Sequence, residues 1–172
     1  AECAAMLEQV ADADEIQITA DNGTDFTVEP GDREWHEDTG IIHEPGDFSN
    51  LPAGEVFIAP ETASGTYVVD GTISPHGLLD EGHTVEVTVE DGYVTDFSDD
   101  EVAAEFERAS EDVGRDAYNL AELGIGTNVA VTDLVGSVLL DEKAAGTVHI
   151  AVGDNASIGG DTDAPIHSDG VI

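Results

Sequence analysis

Positive charge is scarce in this sequence. Lysine and arginine together number 4, against 39 aspartate and glutamate residues, which gives a formal net charge of -35 and leaves Lys143 as the only lysine. Nucleic-acid binding is therefore not expected, because neutralising phosphates requires clustered basic side chains. The acids are spread along the whole chain, and concentrated salt weakens their mutual repulsion by shortening the screening length. We expect a cytoplasmic protein of a salt-accumulating halophile.

Cysteine and long apolar runs are also nearly absent. The one cysteine, Cys3, excludes an intrachain disulfide and leaves no cysteine-rich zinc framework. A metal ion would therefore have to be held by histidine and carboxylate side chains. No apolar stretch approaches the roughly 18 residues of a membrane-spanning helix, so no membrane partner is expected.

The apolar residues that are present follow mainly the period of β-strands. Short runs such as EIQITA, EVFIAP, TVEVTV and TVHIAV are rich in valine and isoleucine. Asn-Gly at 22–23 and Asp-Gly at 91–92 lie between alternating runs and predict hairpins. Helices are predicted over residues 1–13 and 99–113. These patterns predict an α+β domain that is rich in β-structure, with a mixed or antiparallel sheet, hairpins and two or three helices.

A long polar loop is predicted over residues 31–50, with a short extended piece at 40–43. Its histidine, His43, is either a group beside a site or substrate, or an ordinary turn histidine. His36, His76 and His83 lie in acid-rich, loop-like contexts, and we expect them to be solvated.

The length fits a single domain, residues 1–172. The sequence begins at Ala1 within a helical pattern and without methionine. We therefore expect this domain to be the C-terminal part of a longer chain.

The segments TVHIAV and HSDG carry the residues most suited to metal binding. In an extended segment alternate residues share a face. His149 therefore points away from the flanking valines and isoleucine. For the same reason His167 and Asp169 point to one side, with their Cα atoms roughly 6.5 Å apart. Two histidines and one carboxylate suffice for a catalytic zinc or iron ion. Alternatively, His149 is a hydrogen-bonded buried histidine and HSDG is a turn. The spacing does not decide between these hypotheses.

Three glutamates have unusually apolar neighbours. Glu142 lies in LLDEKAAG, while Glu55 in LPAGEVFIAP and Glu122 in NLAELGIGTN also have glycine close by. Burying a carboxylate in such surroundings is costly unless a cation or a hydrogen-bond donor meets it. Glu55 and Glu122 are therefore candidate metal ligands.

Four segments, taken in order, resemble the metal-binding part of the aminopeptidase T-type leucyl aminopeptidases. They are HEPGDFSNLPAGEVFIAPE, ELGIGTN, DEKAAGTVHIAVGDNASIGG and HSDG. The resemblance implies that Glu55, Glu122, His149, His167 and Asp169 hold two divalent ions (zinc, cobalt or manganese), with the two glutamates in the catalytic centre. It implies a peptide substrate, hydrolysis by a metal-activated water, and a homodimer. It also implies a further N-terminal α/β domain that this sequence lacks.

One position departs from the peptidase pattern. Peptidases of the family carry a tyrosine seven residues beyond the HIA histidine, where this sequence has Ala156. The chain is also similar to the 2,5-dihydroxypyridine dioxygenases, for which His149, His167 and Asp169 would hold a single Fe(II) without help from the two glutamates. We expect a metallo-aminopeptidase, with this ring-cleaving dioxygenase as the alternative and a degenerate, non-catalytic domain as a third hypothesis.

Overall fold

Strands make up most of the ordered structure, as the alternating apolar pattern predicts. A computed structural model describes residues 2–42, 44–46 and 49–172. The elements in chain order are α1 (Glu2–Val10), β1 (Ile16–Thr19), β2 (Asp25–Glu29), β3 (His36–Asp38), β4 (Glu55–Ile58), β5 (Thr62–Val69), β6 (Thr72–Ile73), β7 (Gly77–Leu78), β8 (Val85–Glu90), β9 (Tyr93–Phe97), α2 (Asp100–Val113), β10 (Leu120–Gly126), α3 (Val138–Asp141), β11 (Val148–Gly153) and β12 (His167–Val171), with short 3-10 turns at Gly114–Tyr118 and Ala156–Ile158.

The strands form two sheets. In the part of the chain that the structure describes, the smaller sheet has 5 strands in the order β1-β2-β5-β8-β9, and the larger has 7 in the order β3-β4-β10-β11-β12-β6-β7. Every neighbouring pair is antiparallel. The predicted α+β class with antiparallel pairing is confirmed.

The apolar faces of the two sheets share one core. Its buried members include Phe26 and Val28 (β2), Tyr67 and Val69 (β5), Val85, Val87 and Val89 (β8), Ile58 (β4), Leu123 (β10), Ile150 and Val152 (β11), and Val102 and Phe106 (α2). Burying side chains of this size stabilises the fold by roughly 1.5–3 kcal/mol each. The core therefore takes one face of the larger sheet and leaves the other face available for a site.

Both predicted hairpins are present, but one predicted extended piece lies elsewhere and one strand was not predicted. The extended piece of the long loop is β3 at His36–Asp38, not residues 40–43, and His43 lies outside the described residues. The segment LAELGIG forms β10, which is almost entirely buried, although its glycines and alanine are poor strand formers. Tertiary burial between two neighbouring strands overrides that weak local preference.

None of the helices in the described ranges is long and apolar enough to cross a membrane.

Asp99 starts α2. Its carboxylate accepts hydrogen bonds from the backbone N–H groups of Glu101 and Val102, at 3.0 Å each. These bonds satisfy two N–H groups that a helix leaves without partners at its start. Val102 and Phe106 then point from the helix into the core.

We predict that Asp99→Ala lowers the free energy of unfolding by about 1 kcal/mol, because the capping oxygens are lost, whereas Asp99→Asn leaves it nearly unchanged. The hydrogen bond from Val102 and the neighbouring His76 hold the pKa of Asp99 down, at about 2. A carboxyl whose pKa is depressed in the folded state stabilises above its unfolded pKa, so the wild-type advantage should disappear as the pH falls toward 2. Urea unfolding across pH tests this, and equal stability of Asp99→Ala and wild type at pH 7 would contradict it.

Candidate metal centre

Strand pairing gathers acidic and histidine side chains on the face of the larger sheet opposite the core. On β11, Ala151 pairs with Glu122 of β10 on one side and with Asp169 of β12 on the other. Directly paired residues point to the same face, and so do residues two apart in one strand. His149 therefore shares this face, while Ile150 points into the core.

The two remaining candidate ligands come from the same face. Glu55 opens β4 and pairs with Gly126 of β10, and His167 opens β12 and pairs with Gly153 of β11. The HSDG segment is thus a strand and not a turn. All five candidate ligand positions lie on one surface of the sheet, and their binding of a metal stays a prediction.

Distances between the side chains show how closely these groups approach. His149 Nε2 lies 3.3 Å from Glu122 Oε1 and 3.4 Å from Glu55 Oε2. His167 Nε2 lies 3.5 Å from Glu122 Oε2 and 3.6 Å from Asp169 Oδ2. Ligand atoms of Glu122, His149 and Asp169 all lie within 4.8 Å of one another. One ion could bridge them with small side-chain movements.

Gly124 provides the space for the His149 ring. The two residues are directly paired across β10 and β11, and a Cβ atom at position 124 would overlap the Nε2 end of the imidazole. The His149 ring lies across the backbone of residue 124, and only glycine leaves room for it at this position of a buried strand.

Burial and mutual charge shape the acid–base state of this cluster. Burial of His149 opposes its protonation, but the hydrogen bond and charge of Glu122, with the charges of Asp169 and Glu55, raise its pKa to about 9. Burial and the charge of Glu122 raise the pKa of Asp169 to about 6. Burial favours the neutral form of Glu122 as well, yet His149 and His167 hold its pKa below the usual range. The cluster thus retains positive charge to balance its carboxylates.

A divalent ion fits this donor set. The ring nitrogens that face the carboxylates, His149 Nε2 and His167 Nε2, lie 3.3 to 3.6 Å from oxygens of Glu122 and Asp169. These distances are longer than those of strong charge-assisted hydrogen bonds, so an ion placed between these atoms would satisfy them better than they satisfy one another. Two imidazoles with adjacent carboxylates are donors that zinc and iron accept. His167 is further held by its Nδ1, which lies 2.7 Å from the carbonyl oxygen of Asp154, as expected for an oriented metal-binding histidine.

Lys143 is the main site residue that the sequence did not reveal. It follows α3, its side chain is fully buried, and its ammonium group donates to Glu55 Oε1 at 2.7 Å and to Glu142 Oε1. Asp38 Oδ2 lies 4.0 Å away. Burial favours the neutral amine, but the charge of Glu55 and the bond to Glu142 raise the pKa of Lys143. The one sequence feature that could have indicated this role is that the only lysine of the chain lies in the apolar segment LLDEKAAG.

The Lys143 contact changes the role of Glu55. One of its oxygens already has a cationic partner within the protein, so charge compensation there does not require a second metal ion. Burial still raises the pKa of Glu55, to about 7, against the opposing charges of His149 and Lys143.

A cleft of about 620 Å³ opens over the candidate ligands. Its walls combine apolar and polar side chains, namely His36, Asn50, Glu55, Phe57, Glu122, Val138, Leu139, Glu142, Ser157, Ile158, His167 and Asp169. The His36 ring stacks on Phe57, with 5.2 Å between ring centroids. Ala156, where the peptidase pattern has a tyrosine, starts the exposed 3-10 turn whose next two residues line the cleft. A small planar ring could enter this space.

Comparisons with known proteins give one family match and two similar solved structures. The family model for NicX, 2,5-dihydroxypyridine 5,6-dioxygenase, matches residues 1–171. The structure of 2,5-dihydroxypyridine dioxygenase from Pseudomonas putida KT2440 is similar, with a TM-score of 0.81, 21% identity, and coverage of 99% of this chain and 53% of that chain. Wild-type AmpT from Thermus thermophilus is similar with a TM-score of 0.67, 25% identity, and coverage of 96% and 45%. No curated protein matches the sequence.

These findings correct the expected activity. The likeness to AmpT supports an aminopeptidase T-like fold, but the assignment as a metallo-aminopeptidase and hydrolase is wrong, because the family model that matches residues 1–171 is that of a dioxygenase. The expected pair of divalent ions is not supported either. The chain spans about half the length of these solved structures.

We predict that Gly124→Ala displaces the His149 ring, because the added methyl would overlap it. The free energy of unfolding should fall by about 1–3 kcal/mol, as in other overpacked sites, and the metal content of the purified protein should fall with it. Denaturant unfolding and elemental analysis measure the two effects. Wild-type stability together with wild-type metal content would show that the ring has room elsewhere.

Lys143→Met should lower the free energy of unfolding by about 3–5 kcal/mol at pH 8, because two buried carboxylates lose their cation. The pKa of Glu55 is raised to about 7 in the folded protein, so its contribution to stability is complete below its unfolded pKa of about 4.5 and is lost as the pH rises through 7. Lys143→Met raises the pKa of Glu55 further. The difference in free energy of unfolding between this variant and wild type should therefore become smaller as the pH falls toward 5.

The double variant Lys143→Met with Glu55→Gln is the matched control for this prediction. Removing the charge of Glu55 should restore part of the lost stability at pH 8. If the double variant is no more stable than Lys143→Met alone, Glu55 and Lys143 are not energetically coupled.

Proposed function

The chain belongs to the 2,5-dihydroxypyridine 5,6-dioxygenase family, and we propose on that basis that it carries the metal centre of an enzyme that opens a dihydroxylated pyridine ring with O₂. The observation that carries this proposal is the meeting of His149, His167, Asp169 and Glu122 on one face of the larger sheet. The proposed substrate class follows from the activity for which the family is named.

His149, His167 and Asp169 are the proposed ligands of a single Fe(II). Two histidines and one carboxylate form the ligand set of non-haem iron oxygenases and leave coordination positions open. An iron ion held there would supply the one-electron redox chemistry that allows O₂ to react with an aromatic ring. His167 Nδ1 donates a hydrogen bond to the carbonyl oxygen of Asp154, which leaves Nε2 of that ring facing the centre.

Glu122 is proposed to orient the substrate. It lines the cleft, and the two histidines keep its pKa below the usual range, so it is charged at neutral pH. A substrate hydroxyl that enters from the cleft would donate a hydrogen bond to a Glu122 oxygen, because an ionised carboxylate only accepts hydrogen bonds.

The remaining groups would orient substrate and balance charge. Phe57 and His36 offer a stacked aromatic wall against which a pyridine ring could lie. Lys143 keeps Glu55 paired, so that this carboxylate neither repels an anionic substrate nor needs an ion of its own. This pairing favours a one-metal centre over a two-metal centre.

Two variants test the ligand assignment. His167→Ala should lose iron and reduce 2,5-dihydroxypyridine-dependent O₂ uptake by at least about 100-fold, because a metal ligand is removed. Glu55→Gln should keep its iron, since the amide oxygen still accepts a hydrogen bond from Lys143. Glu37→Gln, at an exposed acid of β3, is the control for loss of a carboxylate near the cleft.

Elemental analysis of protein purified without oxygen measures the iron content, and an oxygen electrode measures the O₂ uptake. Iron loss in Glu55→Gln but not in His167→Ala would contradict the assignment. A wild-type protein that holds iron and consumes no O₂ with any dihydroxypyridine would contradict the proposed substrate class.

A further inference from the structure

A second group of metal-binding side chains meets outside the candidate metal centre. His76 lies just before β7, His83 lies just before β8, and Asp99 precedes α2. His76 Nε2 is 3.0 Å from Asp99 Oδ1, and His83 Nε2 is 3.5 Å from Asp99 Oδ2. Ligand atoms of all three lie within 4.8 Å of one another. The sequence predicted both histidines to be solvated. His83 is exposed and His76 is half-buried, and each faces the same carboxylate.

The spacing of these atoms suits a tetrahedral ion. Zinc bonds of about 2.0–2.1 Å to imidazole nitrogen and carboxylate oxygen place neighbouring ligand atoms about 3.3–3.4 Å apart. His76 Nε2 lies 3.0 Å from Asp99 Oδ1, to which it is hydrogen-bonded, and His83 Nε2 lies 3.5 Å from Asp99 Oδ2. Each imidazole therefore lies near this spacing from one carboxylate oxygen, and an ion held by both oxygens would replace the His76 hydrogen bond. The rings of His76 and His83 meet edge to face, with 5.3 Å between centroids, so neither ring blocks the other from the shared space.

Asp99 is held in place for this role. Its Oδ1 accepts the two capping hydrogen bonds at the start of α2, from Glu101 and Val102, which fixes the carboxylate and leaves Oδ2 directed toward His83. A ligand already oriented by other hydrogen bonds loses less conformational freedom when an ion binds.

Exposure and charge also favour a cation at this position. The side chains of His76, His83 and Asp99 are 20%, 43% and 16% exposed, so an ion can reach them from solvent. Asp100 and Glu101 follow in the first turn of α2, in a chain whose net charge of -35 attracts cations to its whole surface.

We propose that His76, His83 and Asp99 form a second binding site for a divalent ion of the zinc type, which shares no ligand with the candidate metal centre. The ion ties the segment between β6 and β8 to the start of α2. Two imidazoles and one carboxylate leave one tetrahedral position for water, and borderline ions such as Zn²⁺ prefer this donor set over hard ions such as Mg²⁺.

Titration of Zn²⁺ into the iron-loaded protein tests the proposal. Wild type should bind about one more Zn²⁺ than His83→Gln, or bind that ion at least about 10-fold more tightly. Asp99→Asn should show the same loss while keeping its stability without metal, because asparagine also caps helices. Asp96→Asn, at an exposed acid of β9, is the control and should bind Zn²⁺ as wild type does.

Thermal unfolding supplies a second readout. Zn²⁺ should raise the Tm of wild type and of Asp96→Asn, but not of His83→Gln, because only an ion that binds the folded state stabilises it. Zn²⁺ binding and a Tm rise in His83→Gln equal to those of wild type would overturn the proposal. Iron content should be the same in His83→Gln and wild type, which separates this site from the candidate metal centre.

Discussion

Compensation of buried negative charge organises the functional face of this protein. Glu55, Glu122 and Asp169 all lie on one side of the larger sheet with little solvent access. Buried carboxylates are tolerated only where cations or hydrogen-bond donors meet them. Lys143 meets Glu55, and the two imidazoles meet the other two carboxylates. Glu55 is thus paired with a cation of the protein itself, whereas Glu122 and Asp169, together with the two histidines, form the group that is suited to bind an ion.

The sheet makes this arrangement possible through its register. The core takes the face that carries Leu123 and Ile150, and the opposite face carries Gly124 and Ala151 at its centre. These small residues leave room for His149 and for ligands on the neighbouring strands. A shift of one residue in the pairing of β10 with β11 would send His149 into the core, so core packing also fixes the metal centre.

Much of the fold was predictable from the sequence because its signals are local. The Asn-Gly and Asp-Gly turns lie between alternating strands, and the acidic start and apolar spacing of α2 mark a helix. Strand β10 was not predictable, because LAELGIG has weak strand propensity and is stabilised by its neighbours. The pairing of His76 and His83 with Asp99 was missed for a similar reason, since it depends on the packing of a loop against α2.

Strand spacing, apolar context and family resemblance together identified the candidate ligands, but the number of these ligands misled the functional prediction. Spacing alone indicated only His149, His167 and Asp169, and the two glutamates favoured a two-metal peptidase. Sequence could not show that Lys143 reaches Glu55 across 88 positions of chain. With that contact known, Glu55 no longer argues for a second ion, and the one-metal interpretation agrees with the family match.

Anomalous diffraction at the iron edge, from crystals grown without oxygen, tests this account most directly. The account predicts one iron peak within bonding distance of His149, His167 and Asp169, with Lys143 still bound to Glu55. A second metal peak between Glu55 and Glu122, with Lys143 displaced, would contradict it.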